Sequence, residues 1–211
     1  MRTQITFVLD SSGSMSAIAE DTIGGFNAFL REQRTEPGSA TVTLYEFNTN
    51  VERRYHGYPI EDAPELDEET YRPGGRTALH DAISTAITDT ENQIREQKPP
   101  EQPETVIVVV LTDGKENASE TPQERVHEQV TACQEERNWE FLFIGANQDA
   151  ALTAGEMGID RDRSLNMAYS GKGTKAAYDS TSKRVSEARR HGSTDGFDEE
   201  DRQRQDDAEG H

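Results

Sequence analysis

The chain has 211 residues, of which 41 are acidic and 22 basic, giving a formal net charge of −19. That length fits one domain with a sizeable core, or one domain plus a tail. The charge excludes the positive face that nucleic-acid backbones and anionic membranes require. The lone cysteine, Cys133, excludes an internal disulfide, and the longest apolar run, Val106 to Leu111, is far too short to span a bilayer. No secretory signal precedes the first apolar run, so the sequence reads as soluble and cytoplasmic.

Residues 3–9 form a short, β-branched, near-continuous apolar run, the pattern of a strand buried on both faces. Ile18, Ala19, Thr22, Ile23, Phe26, Phe29 and Leu30 then recur at helical spacing, predicting a helix over 16–34. A second strand is predicted over 41–47. Asn48-Thr49-Asn50 supplies turn residues, and 51–58 is its hairpin partner, with Arg53 and Arg54 guarding an edge. Residues 59–76 have no period and read as a long loop. From Thr77 the pattern is helical again, with Leu79, Ala82, Ile83, Ala86, Ile87 and Ile94 on one face. Thr105 to Leu111 is the most apolar strand and is expected at the centre of the sheet.

Thr121-Pro122 matches an N-cap and first helical position; Val126, Val130 and Cys133 fall on the inner face of that helix, which makes Cys133 a core residue. A strand over 139–145, a short helix over 148–157 and a weak strand over 164–169 follow. The last helix, 174–190, carries a thin apolar stripe of Ala177, Thr181, Val185 and Ala188, so weak docking is expected. Residues 191–211, rich in Asp, Glu, Gln and Gly, read as a disordered acidic tail. Strands alternating with helices predict an α/β domain over 1–190. Its fold is three-layer, Rossmann-like and doubly wound, with a mostly parallel six-stranded sheet and one antiparallel edge strand.

The chemistry concentrates where strands end. Asp10-Ser11-Ser12-Gly13-Ser14 closes the first strand, and its carboxylate and hydroxyls are hard oxygen donors suited to Mg²⁺, Mn²⁺ or, less well, Ca²⁺. Gly13 is expected to let the backbone turn tightly; the competing reading is a helix N-cap. Asp113 closes the central strand, and the Arg72-Pro-Gly-Gly-Arg-Thr77 loop can reach the same edge, where doubly wound folds place their sites. Other motifs fail. Ser12 stands where a phosphoaspartate loop needs a second aspartate. Gly171-Lys172-Gly173-Thr174-Lys175-Ala176 matches a dinucleotide pattern but sits on the last strand, with no further βαβ unit or ribose-binding acid after it. The five histidines are scattered without zinc-ligand spacing, and Asn117-Ala118-Ser119 is read as an accidental glycosylation sequon.

Together, Val8-Leu9-Asp10-Ser11-Ser12-Gly13-Ser14-Met15, Gly74-Gly75-Arg76-Thr77-Ala78-Leu79 and Val110-Leu111-Thr112-Asp113-Gly114 resemble the von Willebrand factor A domain and its metal-ion-dependent adhesion site (MIDAS). The resemblance covers roughly 1–190. It implies that Ser12 and Ser14 hold Mg²⁺ or Mn²⁺, that Thr77 binds the ion directly or through water, and that Asp10 and Asp113 act through waters. Arg76 departs from the pattern by separating the glycine pair from Thr77. The function implied is a metal-dependent protein-binding module without enzymatic activity, whose ion bridges to an Asp or Glu carboxylate of a protein partner. An AAA-type ATPase or stress-response complex is the partner class the resemblance suggests, with neither nucleic acid nor membrane involved. The alternative is a metal-dependent hydrolase using the same ion as a Lewis acid, for which no general base is evident. Alanine at Asp10 or Ser14 is expected to abolish metal binding and leave the fold largely intact. The arginine-rich, lysine-poor acidic surface further suggests a halophilic protein, whose stability should rise from low to molar KCl.

Overall fold

Strand β4 (Thr105–Thr112) is buried at every position, and the rest of the computed structural model, which describes residues 1–147 and 149–209, is laid out around it and its neighbour β1 (Arg2–Asp10). The remaining strands are β2 (Ser39–Phe47), β3 (Val51–Pro59), β5 (Glu140–Ala146) and β6 (Ser164–Met167), in the sheet order β3-β2-β1-β4-β5-β6. All neighbours are parallel except β2 and β3, which pair as an antiparallel hairpin. The predicted six-stranded, doubly wound, Rossmann-like sheet with one antiparallel edge is therefore the fold observed. The chain leaves β1 in one direction to β2 and β3, then returns to lay β4 on β1's other side. Strand order reverses there, so the carboxyl ends of β1 and β4 diverge and leave a crevice.

Alternation along the central strands feeds two cores. Ile5, Phe7 and Leu9 of β1 and Ile107, Val109 and Leu111 of β4 face helices α1 (Ala19–Thr35) and α5 (Gly171–His191). Val8, Val106, Val108 and Val110 face α2 (Leu79–Glu96), α3 (Gln123–Arg137) and α4 (Ala150–Glu156). Phe7 meets the Phe26 ring edge-on at 5.2 Å between centroids and stacks on Tyr178 at 6.1 Å. Each such ring contributes roughly 1.5–3 kcal/mol through burial. Cys133 is buried on α3, and burial pushes its thiol up to about 12, as a core role requires. The predicted element boundaries hold to within a few residues. Helix α3 begins at Gln123, with Pro122 rather than Thr121 at its N-cap. Residue 148, at the start of the predicted 148–157 helix, lies outside the described residues.

Two expectations are corrected. Helix α5 is not loosely docked: the thin apolar stripe misses Tyr178, which is fully buried, and a set of buried polar groups. An added Cβ at Gly25 of α1 would lie 2.2 Å from the Tyr178 ring, so this glycine lets the two helices close on one another. Beside it, Gln33 Nε2 donates to Ser182 O (3.1 Å) and Ser186 Oγ (3.0 Å), and Gln33 O and Oε1 accept from the buried Arg189. The tail is not disordered over its described residues either. Residues Glu199–Glu209 form helix α6, packed on α5 and β6 with Asp201, Gln205 and Ala208 buried. Its anchors are polar: Arg184 donates to Asp201 at 2.6 Å, and Arg202 NH1 donates to Ser164 O at 3.0 Å. Phe197, the tail's one aromatic, is buried as well. Residues 210 and 211 lie outside the described set. Among the described residues no helix is long and apolar enough to cross a membrane.

Candidate metal centre

Asp10 is fully buried at the carboxyl end of β1. Its Oδ1 accepts the Ser12 backbone N–H at 2.6 Å, its Oδ2 accepts the Thr112 hydroxyl at 2.6 Å, and its carbonyl accepts the Tyr71 hydroxyl at 2.6 Å. One residue thus ties the loop after β1 and the end of β4 through its side chain, and the long loop after β3 through its carbonyl. Burial raises the Asp10 pKa to about 6, against the lowering effect of the Thr112 and Ser12 donors. The loop then enters a 3₁₀ turn over Gly13–Ile18 that leads into α1. No side-chain cap is made at Ser12, so the N-cap reading of the motif fails. Gly13 has no positive φ. Its N–H donates to Gly75 O at 3.1 Å, and an added Cβ would be in ordinary contact with that oxygen at 3.4 Å, so neither a turn nor close packing demands glycine here.

The other sequence-predicted residues converge on the same point. Ser12 Oγ lies 3.2 Å from Ser14 Oγ, and the exposed Ser14 hydroxyl donates to Asp113 Oδ1 at 2.6 Å. An ideal Cβ at Gly114 would lie 3.0 Å from Thr77 Oγ1, 3.5 Å from Ser14 Oγ and 3.8 Å from Ser12 Oγ. Three hydroxyls from two chain segments therefore surround one small space beside Gly114. Asp113 Oδ2 is buried without a hydrogen-bond partner, and burial raises the Asp113 pKa. An orphaned, desolvated carboxylate oxygen beside neutral hydroxyls is the kind of donor set a hard divalent cation completes. The residues present fit such an ion. Among the described residues no group of three or more His, Cys, Asp or Glu side chains could hold one; this site is instead built from two carboxylates and three hydroxyls.

The rim contains residues that sequence reasoning missed. Asn117, read as part of an accidental sequon, accepts the Thr77 N–H on its Oδ1 at 2.9 Å while its own N–H donates to Thr77 O at 3.0 Å. Thr77 is thereby pinned from both sides. Arg76 is the extra residue of its loop and points outward: its N–H donates to Thr49 Oγ1 at 2.9 Å and its guanidinium to Asn117 O. Gly75 adopts φ +80 and an added Cβ would lie 2.9 Å from Thr49 Oγ1, so glycine is required there. Tyr169, in the loop between β6 and α5, is 39% exposed and donates its hydroxyl to Ser14 O. Burial, and after it the Asp113 charge, raises the Tyr169 pKa. Thr112 could have been suspected as Asp113's neighbour. Asn117, Tyr71 and Tyr169 carry no local signal, because their partners are remote in sequence. The Gly171–Ala176 segment is the start of α5, where an added Cβ at Gly171 would meet the Asp21 carboxylate at 2.7 Å.

The family model described as the von Willebrand factor type A domain matches residues 4–182. The chain belongs to this family. Among solved structures it resembles proximal thread matrix protein 1 from the mussel byssus, with 16% identity, a TM-score of 0.59, and coverage of 88% of this chain and 46% of that one. A structure of the same mussel protein, described as having a zinc-occupied MIDAS motif, aligns at 13% identity and a TM-score of 0.59, over 88% and 46% of the two chains. The ArnB paralog VWA2 from Sulfolobus acidocaldarius aligns at 17% identity and a TM-score of 0.56, over 86% and 44%. At such identities the likeness is one of fold, and the chain spans under half the length of these proteins. No curated protein matches it.

Proposed function

We propose that Asp10, Ser12, Ser14, Thr77 and Asp113 form an intact metal-ion-dependent adhesion site, and that the chain is an intracellular metal-dependent protein-binding module without enzymatic activity. The observation that carries this reading is the unpartnered, buried Asp113 Oδ2 beside three convergent hydroxyls. When bound, a divalent ion supplies an electron-poor position that a partner's Asp or Glu carboxylate completes. The chain's own residues do the rest. Ser12, Ser14 and Thr77 offer neutral oxygens, Asp113 aligns Ser14, and Asp10 fixes the loop from below.

Mg²⁺ and Mn²⁺ suit this all-oxygen set best; the zinc-occupied motif of the mussel protein makes Zn²⁺ a third ion to compare. The partner class, an AAA-type ATPase or stress-response complex, is proposed on family resemblance alone. Hydrolysis with the same ion would need a base, and Glu116, the acid of the adjoining loop, already accepts from His80 N, Ala118 N, Ser119 N and Ser119 Oγ. The test is calorimetric titration of Mg²⁺, Mn²⁺ and Zn²⁺ into wild type and Ser14→Ala in high KCl. Saturable binding by wild type, reduced about 100-fold or more in the variant, is expected; a wild type that takes up none of the three ions sinks the reading.

A further inference from the structure

Helix α6 lies beyond the residues matched by the family model, yet one of its side chains reaches toward the metal centre. Gln205 is 3% exposed. Its Oε1 accepts the Ala168 N–H at 2.9 Å and its Nε2 donates to Gly173 O at 3.2 Å. These two backbone groups bracket the β6–α5 loop that carries Tyr169. The loop is tight in itself: Ser170 N donates to Ala168 O at 2.8 Å, Ser170 Oγ accepts from Gly173 N at 3.0 Å, and an added Cβ at Gly173 would lie 2.1 Å from Ala168 O. Tyr169 leaves this loop and donates its hydroxyl to Ser14 O. Ser14 is the residue whose side chain donates to Asp113 at 2.6 Å. A path of hydrogen bonds, joined through the β6–α5 loop and through Ser14 itself, therefore runs from α6 to the hydroxyl cradle. Helix α6 is itself fixed by the Arg184–Asp201 contact at 2.6 Å and by Lys172 Nζ donating to Asp207 O at 3.1 Å.

We propose that Tyr169 and Gln205 are positioning residues of the metal centre: Gln205 fixes the β6–α5 loop, and the Tyr169 hydroxyl held by that loop orients Ser14 toward Asp113. The C-terminal helix thereby sets the affinity of a site to which it contributes no ligand. This rests on the reading of the site as a metal centre, so the test has one readout that needs no metal.

The experiment compares wild type, Tyr169→Phe, Gln205→Ala and the double variant by Mn²⁺ calorimetry and by amide exchange of the metal-free protein. Tyr169→Phe should weaken Mn²⁺ binding about three- to tenfold, the loss of one hydrogen bond. Gln205→Ala should weaken it in the same direction, and the double variant should be no weaker than Tyr169→Phe alone, because the two act in series. Additive losses, or wild-type affinity in Gln205→Ala, overturn the proposal. In the metal-free protein both single variants should exchange the amides of Ser14 to Ser16 faster; unchanged exchange also overturns it. If wild type binds no ion while exchange still quickens, the metal reading falls and the coupling of α6 to the Ser14 loop stands. Gln205→Asn, too short to span both backbone groups, repeats the test with the amide retained should Gln205→Ala fail to fold.

Discussion

Asp10 and Asp113 look equivalent in sequence, each an aspartate closing an apolar strand, but the structure gives them different burdens. Asp10 satisfies the Ser12 N–H and the Thr112 hydroxyl inside the protein. Removing it leaves the Ser12 N–H without this acceptor, at about 1–3 kcal/mol, while the Thr112 hydroxyl retains Gly114 O at 3.2 Å. Asp113 accepts the Ser14 hydroxyl on Oδ1, its Oδ2 has no hydrogen-bond partner, and the Tyr169 hydroxyl lies close enough to lower its pKa against the raising effect of burial. Asp10→Ala is therefore expected to lower stability by about 1–3 kcal/mol, with the fold retained, as well as abolish ion binding. Asp113→Ala should abolish ion binding with a stability change under about 1 kcal/mol, or even a gain, since a desolvated carboxylate is removed. Urea unfolding and Mn²⁺ titration of the two variants side by side check this; equal destabilisation would show that both aspartates are structural. The five candidate residues were legible because they sit directly after apolar runs or in a glycine loop, where local pattern marks the ends of strands. Their supports were not. Asn117 is 40 residues from Thr77, and Tyr169 is 155 from Ser14, so only the folded chain connects them.

At the scale of elements, what hydropathy reads as a weak helix is held by groups that hydropathy scores as solvent-facing. Strands β1, β4 and β5 were legible as apolar runs. Helices α5 and α6 were misjudged because their docking uses Gln33, Arg184, Arg189, Asp201 and Gln205 in place of aliphatic side chains. Steric fit between α1 and α5 gives a paired prediction. Gly25→Ala drives a methyl into the Tyr178 ring, whereas Gly24, one residue earlier, has nothing within 4 Å of an added Cβ. Gly25→Ala should destabilise by about 1–3 kcal/mol or more, and Gly24→Ala should stabilise by about 0.5–1 kcal/mol. Denaturant unfolding of both decides it, and similar effects would argue against the close approach of the helices. Helix α6 also has a pH signature. The Asp201 N–H, then Arg184 and Lys183, hold the Asp198 carboxyl below its ordinary value of 3.8. A depressed carboxylate contributes stability that is present above its unfolded pKa and lost as pH falls through the folded one. Amide protection in α6 should therefore hold at neutral pH and decline once the medium is more acidic than the ordinary aspartate range. Protection that instead falls as pH rises from 5 to 8 would contradict the assignment, with exchange measured as a function of pH (about 1 kcal/mol or less being expected of so exposed a group).

For the whole molecule, the donor set of the proposed metal centre has a kinetic consequence. Two carboxylates cancel the charge of a divalent ion, and the three hydroxyls add none. The acidic partner proposed above would therefore meet a locally neutral target set in a protein of net charge −19. At 0.1 M salt that field extends about 10 Å from the surface, and at 1 M only about 3 Å. Association through this site should accelerate as salt rises, the reverse of ordinary electrostatically steered encounters. Stopped-flow measurement of the on-rate for an Asp-bearing peptide across 0.1–1 M KCl, about one Debye-length regime at each end, would show it, and a rate that falls with salt would reject it. On the proposed reading, the ionic strength of the surroundings then sets how fast the interaction forms.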